Sequence, residues 1–335
     1  MSKRAISSAC AVLLLGAGVV AASCDDTAAT GGAGGTGSST QSSGGVTVST
    51  GGYTGTTQVF LIMMENHDWS AIKGNPKAPY MNGTLLTTAA HAEQYFNPPK
   101  LHPSEPNYIW LEAGDNLGIT NDLGPIINHT AETNHLVSMI EKAGKTWRSY
   151  QEDIAGDVCP IEPVGKYAPR HNPAVFFDDV TDAQDPMSQH CIERMRPFSQ
   201  LATDLEADTI SDYNFITPNL CNDMHDTCAP QMDAIAQGDD WLAANIPPIL
   251  ASKAYARGAV VIVAWDEGLE PSDGPIPFFL LSKNAKAGFS SDTHYTHSST
   301  VKTIQEILGL TPLLRHAGDA DTKDFADLFT QFPSP

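Results

Sequence analysis

Two unbroken runs of apolar side chains organise the sequence, Gln58 to Met64 and Ala259 to Trp265. Both are rich in β-branched or long apolar residues and lack polar alternation, the pattern of strands buried on both faces. Tyr213 to Thr217 and Pro277 to Leu281 are shorter segments of the same kind. Leu136 to Ala143 and Ser299 to Leu308 carry apolar residues at helical spacing, and the second runs into Gly309, a residue suited to ending a helix. Strands alternating with helices predict an α/β domain, a three-layer sandwich around a mostly parallel sheet. The long apolar runs lead into Glu65-Asn66 and Asp266-Glu267, and Tyr213 to Thr217 leads into Pro218-Asn219. Ligands of such sheets gather beyond the carboxyl ends of the strands, so these pairs are expected at one edge.

The amino-terminal pattern is different. Lys3 and Arg4 precede an apolar stretch from Ala11 to Ala22, the length of a secretory signal rather than of a membrane span. It ends in Ala21-Ala22-Ser23-Cys24, similar to a bacterial lipobox except for Ala at the third position before the cysteine. Residues 1–23 are therefore expected to be a lipoprotein-type signal, and the protein to be exported, either anchored through a lipid on Cys24 or secreted free. Residues 24–56 are mostly Gly, Ser, Thr and Ala, which cannot bury enough apolar surface to offset their ordering entropy. They are expected to form a tether. Residues 57–335 contain no second linker or repeat and are expected to be one catalytic domain, acting as a monomer.

The formal charge of −20 grows more negative once Lys3 and Arg4 are removed. That excludes nucleic acid as a natural partner and leaves membrane contact to the lipid anchor alone. It also favours a site that holds cations. Beyond Cys10 and Cys24, four cysteines remain, and in an oxidising compartment the pairing that closes the shortest loops is Cys159 with Cys191 and Cys221 with Cys228. Zinc ligation is disfavoured because there is no close Cys-x-x-Cys spacing.

The candidate chemistry centres on His102-Pro103-Ser104-Glu105-Pro106-Asn107-Tyr108. Taken alone this is turn composition, just as Glu65-Asn66 could cap a helix and Asp266-Glu267 could be a solvated turn before Gly268. Further runs change the balance: Met64-Glu65-Asn66-His67, Thr217-Pro218-Asn219-Leu220-Cys221-Asn222-Asp223-Met224-His225-Asp226, Trp265-Asp266-Glu267-Gly268 and Thr296-His297-Ser298-Ser299. In this order the five resemble the phosphoesterase family of acid phosphatases and phosphatidylcholine-type phospholipases C, in the alkaline phosphatase-like superfamily. The length is similar to that of the short acid phosphatases, which include secreted enzymes acting on phosphoinositides. Ser104-Glu105-Pro106-Asn107 is also similar to the nucleophile segment of nucleotide pyrophosphatases in that superfamily.

The resemblance implies a metal-dependent phosphomonoesterase working through a phosphoserine on Ser104. A phospholipase C-type phosphodiesterase is the alternative reading, and an inactive surface-binding lipoprotein is the third. A serine hydroxyl attacks phosphorus only when its alkoxide is stabilised, and Glu65, Asn66, Asp266 and Glu267 offer hard oxygen ligands for a divalent cation, with Asp223 as a further ligand. Such donors suit Mg²⁺, Ca²⁺ or Mn²⁺ better than Zn²⁺. His225, His297 and His102 are expected to bind phosphate oxygens or protonate the leaving alkoxide, and Asn107 and His171 to line the substrate side of a small phosphate ester or phospholipid headgroup. The two-zinc members of the superfamily place a histidine where this chain has Glu267, so one metal is expected. Sulfatase chemistry requires Arg at the fourth position after the nucleophile, where Tyr108 stands.

Overall fold

A computed structural model describes residues 57–269, 272–333 and 335. The expected signal, tether and lipidation site at Cys24 lie outside the described residues. The strands in chain order are β1 (Val59–Met64), β2 (Ala90–Ala92), β3 (Tyr95–Phe96), β4 (Trp147–Gln151), β5 (Met195–Pro197), β6 (Tyr213–Thr217), β7 (Val260–Trp265), β8 (Phe278–Leu281), β9 (Ser290–Ser291) and β10 (Tyr295–Thr296). Eight form one sheet in the order β5-β4-β6-β1-β7-β8-β2-β9, and β3 pairs with β10 separately. From β5 to β7 the pairing is parallel, and β8 runs antiparallel to both its neighbours. The mostly parallel α/β sheet is thus present, with one reversed strand.

Every residue of β1 and β7 is buried, as their unbroken apolar composition requires of strands covered on both faces. They pair with Met64 opposite Trp265, and the Asp266 N–H continues the ladder to the Met64 carbonyl at 3.0 Å. This register delivers Glu65 and Asp266 side by side at the end of the sheet.

The helices that matter for the site are α1 (Ser104–Ala113), α2 (Leu136–Lys142), α3 (Gln200–Ala207), α4 (Ala234–Leu250) and α5 (His297–Leu308). Helix α1 packs against α5 and α2, and α3 against α4. The start of α5 lies two residues earlier than the periodicity predicts. Thr296 closes a capping box with Ser299, and Gly309 ends the helix at φ 66°. Helix α1 was not expected, since its segment reads as a loop. All of its residues but Trp110 are buried, polar ones included, so it has no amphipathic stripe to detect. Pro106 is tolerated because it falls in the first turn, where the backbone N–H has no helical partner. The helix ends at Gly114, φ 71°, where a Cβ would stand 2.9 Å from the Leu314 carbonyl oxygen.

Both predicted disulfides are formed, Cys159–Cys191 with Cα atoms 5.3 Å apart and Cys221–Cys228 at 5.6 Å. The shorter bridge closes the loop after β6, which carries Asp223 and His225 to the sheet edge.

Candidate active site

Three chain segments meet around Ser104. From β1, Glu65 receives the Ser104 hydroxyl on Oε2 at 3.1 Å. From the end of β7, Glu267 lies on the other side, its Oε1 3.3 Å from the same hydroxyl. Ser104 is the first residue of α1, after Pro103, so its oxygen stands at the positive end of a ten-residue helix. That placement favours an ionised oxygen there.

Asn66 follows Glu65 at φ 50°, a left-handed conformation that asparagine adopts more readily than most residues. The turn aims its N–H at Asp266 Oδ1, 3.0 Å away, and its side-chain amide at Glu65 Oε2, 3.3 Å away. The Asp223 carbonyl accepts the Glu65 N–H at 2.8 Å, Asp223 Oδ1 accepts the His225 N–H at 2.8 Å, and Oδ2 lies 3.4 Å from His171 Nδ1. The expected carboxylates and Asn66 are therefore gathered around Ser104, with Asp223 one layer behind.

The histidines divide. His171 is buried with Nε2 3.4 Å from Glu65 Oε1, and His225 stands beside it at a ring separation of 5.7 Å. Among the described residues Glu65, His171 and His225 bring potential metal-ligand atoms within 4.8 Å of one another, a donor set containing nitrogen that was not expected. His297 is fully buried. Its Nε2 lies 2.5 Å from the Asp266 carbonyl oxygen and its Nδ1 2.8 Å from the Tyr95 hydroxyl, which leaves neither nitrogen open to a phosphate oxygen in this arrangement. His102 touches Glu267 rather than Ser104, with Nδ1 2.5 Å from Glu267 Oε2 and Nε2 3.2 Å from Asp273. Asn107 spends its amide hydrogens on the Leu101 carbonyl at 2.9 Å, the Pro103 carbonyl at 3.3 Å and Glu267 Oε2 at 3.3 Å, so it braces the turn and the carboxylate.

Two residues of the site lay outside the expected set. The Tyr108 hydroxyl donates to Glu65 Oε1 at 2.5 Å, and its ring stacks on His171 at 5.1 Å and 11°. Its spacing of four from Ser104 would have placed both on one helix face, had α1 been recognised. Arg170 Nη2 reaches His225 Nε2 at 3.3 Å. A guanidinium only donates, so Nε2 is the accepting nitrogen and Nδ1–H faces Asp226 Oδ1 at 2.9 Å. Nothing in the spacing of the Arg170-His171-Asn172-Pro173 run distinguishes this arginine from a loop residue.

The electrostatics follow from crowding. Burial, then the charges of Asp266 and Asp223, push the Glu65 carboxyl well above its usual range. Burial raises Asp223 well above its range, and it raises Asp266 to about 6 against the hydrogen bonds from Asn66 and Ser104. Burial, then the charge of Arg170, holds His171 well below the ordinary imidazole value. Burial likewise lowers His297 to about 4. Asp266 Oδ2 and Asp223 Oδ2 are buried without a hydrogen-bond partner among the described residues. Packed carboxylates with orphaned oxygens fit a cation, which would offset their repulsion and burial.

A profile of the phosphoesterase family matches residues 76–269. A phosphatidylinositol-3-phosphatase of Mycobacterium tuberculosis is 31% identical over 252 residues, which cover 75% of this chain and 77% of the relative. A phosphate-repressible acid phosphatase of Penicillium chrysogenum is 29% identical over 76% of this chain, and an acid phosphatase of Aspergillus niger is 29% identical over the same share. The chain spans only 59% of the length of each of these fungal relatives. Among solved structures, the lipoteichoic acid synthase LtaP of Listeria monocytogenes superposes with a TM-score of 0.53 at 14% identity, over 78% of this chain and 74% of that one. An alkaline phosphatase superfamily protein of Vibrio parahaemolyticus gives 0.51 at 11% identity, over 76% and 67%. At those identities the structures speak for the fold, which is alkaline phosphatase-like. With a matching profile over more than half its length and a curated relative above 30% identity, the chain belongs to the phosphoesterase family.

Proposed function

We propose that this protein hydrolyses phosphate monoesters, as an enzyme of acid phosphatase type, through a phosphoserine on Ser104. The observation that carries the reading is the Ser104 hydroxyl at a helix N-terminus with Glu65 and Glu267 at 3.1 and 3.3 Å. Glu65, Asn66, Ser104, Asp266 and Glu267 would hold one divalent cation, and their oxygen-rich donors favour Mg²⁺, Ca²⁺ or Mn²⁺ over Zn²⁺. When bound, such a cation lowers the cost of ionising the serine and of charge growing on a phosphoryl oxygen.

The chain's own groups account for the rest. Ser104 Oγ forms the bond to phosphorus while its proton passes to one of the carboxylates beside it, Glu65 Oε2 or Glu267 Oε1. His225 gives a proton to the departing alcohol as the ester P–O bond breaks, once its Nε2 has left Arg170 for the incoming ester and taken a proton from water. His171, held neutral by burial, presents a nitrogen to the phosphoryl group without adding charge. Water then cleaves the phosphoserine, releasing phosphate and restoring the hydroxyl. His102, Asn107 and His297 act as positioning residues, the first two on Glu267 and the third on the Asp266 backbone. The chain is further taken to be an exported monomer with lipid on Cys24, a setting compatible with its disulfides.

The test compares wild type with Ser104→Ala on p-nitrophenyl phosphate, a phosphoinositide and phosphatidylcholine, with and without chelator. The expected result is phosphate release from the monoesters that falls by about three orders of magnitude or more in Ser104→Ala. Full activity in that variant would remove the nucleophile assignment. Diacylglycerol release without monoester cleavage would favour a phospholipase C, and activity untouched by prolonged chelation would count against the cation.

A further inference from the structure

Beside the catalytic groups lies a cleft of about 320 Å³ that the proposed reaction does not use. Its walls include Leu123, Pro125, Ile126, Ile161, Pro163 and Pro169, and Arg170 belongs to the same lining. Leu123 and Ile126 are 62% and 43% exposed, large apolar surfaces left open to water. The three prolines stiffen the walls.

Hydrogen bonds tie this cleft to the nucleophile. The Glu105 N–H, one residue after Ser104, donates to Asp122 Oδ1 at 2.9 Å, and the Gly124 N–H donates back to Glu105 Oε2 at 2.8 Å. The segment carrying Leu123 and Ile126 is thereby fixed to the start of α1. Arg170 spans the boundary, with Nη2 3.3 Å from His225 Nε2 and Nε 3.6 Å from Asp122 Oδ2. Its Nε is buried and has no hydrogen-bond partner among the described residues. A guanidinium with a donor to spare therefore stands where the catalytic groups meet an apolar cleft.

A phosphate monoester has two parts that match these features. The phosphoryl dianion suits an arginine able to donate in a plane, and an apolar alcohol suits the open Leu123 and Ile126 side chains. Asp122 and Glu162 also line the cleft and disfavour an anionic alcohol. We propose that the cleft is the leaving-group pocket of this enzyme, with Arg170 gripping the phosphoryl group at its inner end. It would select monoesters of uncharged alcohols bearing an apolar chain. This rests on the phosphomonoesterase reading above.

The test is the hydrolysis of ethyl, butyl and octyl phosphate, each as free monomer, by the purified full chain. These primary alcohols leave with similar chemical ease, so differences report contacts made by the chain. The expected kcat/KM is at least about tenfold higher for octyl than for ethyl phosphate. A Leu123→Ser, Ile126→Ser double variant brings that ratio to within about twofold, while Met232→Ser, at an exposed apolar residue outside the lining, preserves it. Arg170→Gln raises KM for all three esters, and Arg170→Lys recovers part of the loss. A wild-type ratio near one, a ratio indifferent to the double variant, or a chain-length preference seen only when the ester is embedded in phosphatidylcholine vesicles would each overturn the pocket. Failure to release phosphate from any ester, p-nitrophenyl phosphate included, would remove the phosphomonoesterase reading and the pocket with it.

Discussion

Asp266 shows what burial costs a carboxylate of the site. Its carboxyl titrates at about 6, pushed up by burial, with Glu65 and Asp223 also raised beside it. A carboxylate whose folded value exceeds its unfolded one binds its proton more tightly in the folded state, so stability falls as pH rises between the two values. Without a cation, the protein should lose on the order of 2–3 kcal/mol from this group between about pH 4 and 6. Asp266→Asn retains an oxygen for the Asn66 N–H and removes the charge. In chelator it should melt above wild type at pH 7 and close to it at pH 4, with activity abolished, as a pH series of thermal scans would record. Equal melting temperatures at pH 7 would mean that the carboxylate is not under strain. Glu65-Asn66 and Asp266-Glu267 were legible as site residues because each pair follows an apolar strand in sequence. Tyr108 and Arg170 were not, because each matters only through a contact with a residue far along the chain.

Elements are held in register by a different buried group. His135, at the start of α2, donates from both ring nitrogens, to Glu112 near the end of α1 at 2.8 Å and to Asp179 at 2.9 Å. Burial works against its charge, but the two carboxylates prevail and raise it to about 9. The histidine therefore stabilises the fold fully below its unfolded value near 6.5, and that contribution fades as pH rises through about 9. His135→Gln should cost roughly 3 kcal/mol at pH 6, since it leaves the buried Glu112 carboxylate without its cation, and the gap should narrow above pH 9. Urea unfolding at both pH values measures it, and a gap independent of pH would show that packing, not charge, is the source. The periodicity predicted α2 and α5 because each has a distinct apolar stripe. Helix α1 lacked that signal, since buried Ser104, Glu105 and Asn107 break the stripe and are partnered only once the fold is complete.

Across the molecule the two disulfides should separate stability from function. Cys159–Cys191 spans 32 residues and Cys221–Cys228 only 7, so chain entropy assigns them about 4 and 2 kcal/mol. The shorter loop contains Asp223 and His225, whereas the longer one contains Arg170 and His171 far from its ends. Replacing both cysteines of the short bridge by serine should therefore lower kcat/KM by more than its modest loss in unfolding free energy suggests, and replacing the long pair should do the reverse. Denaturant titration alongside a phosphate-release assay checks both. Identical losses in the two assays for both variants would contradict the division.

Local composition was enough to determine the α/β class, the two central strands and the acidic pairs that end them, because a strand buried on both faces must be apolar along its length and a change to polar residues marks where it leaves the core. It was also enough to favour the disulfide pairing, since short loops close at least entropic cost. What depended on the tertiary structure was the use of each side chain. The β1–β7 register sets Glu65 beside Asp266, burial raises the proton affinity of those crowded carboxylates, and packing commits His297 to a backbone carbonyl while bringing Arg170 to His225. Those outcomes depend on distances between residues remote in sequence, and no spacing along the chain encodes them.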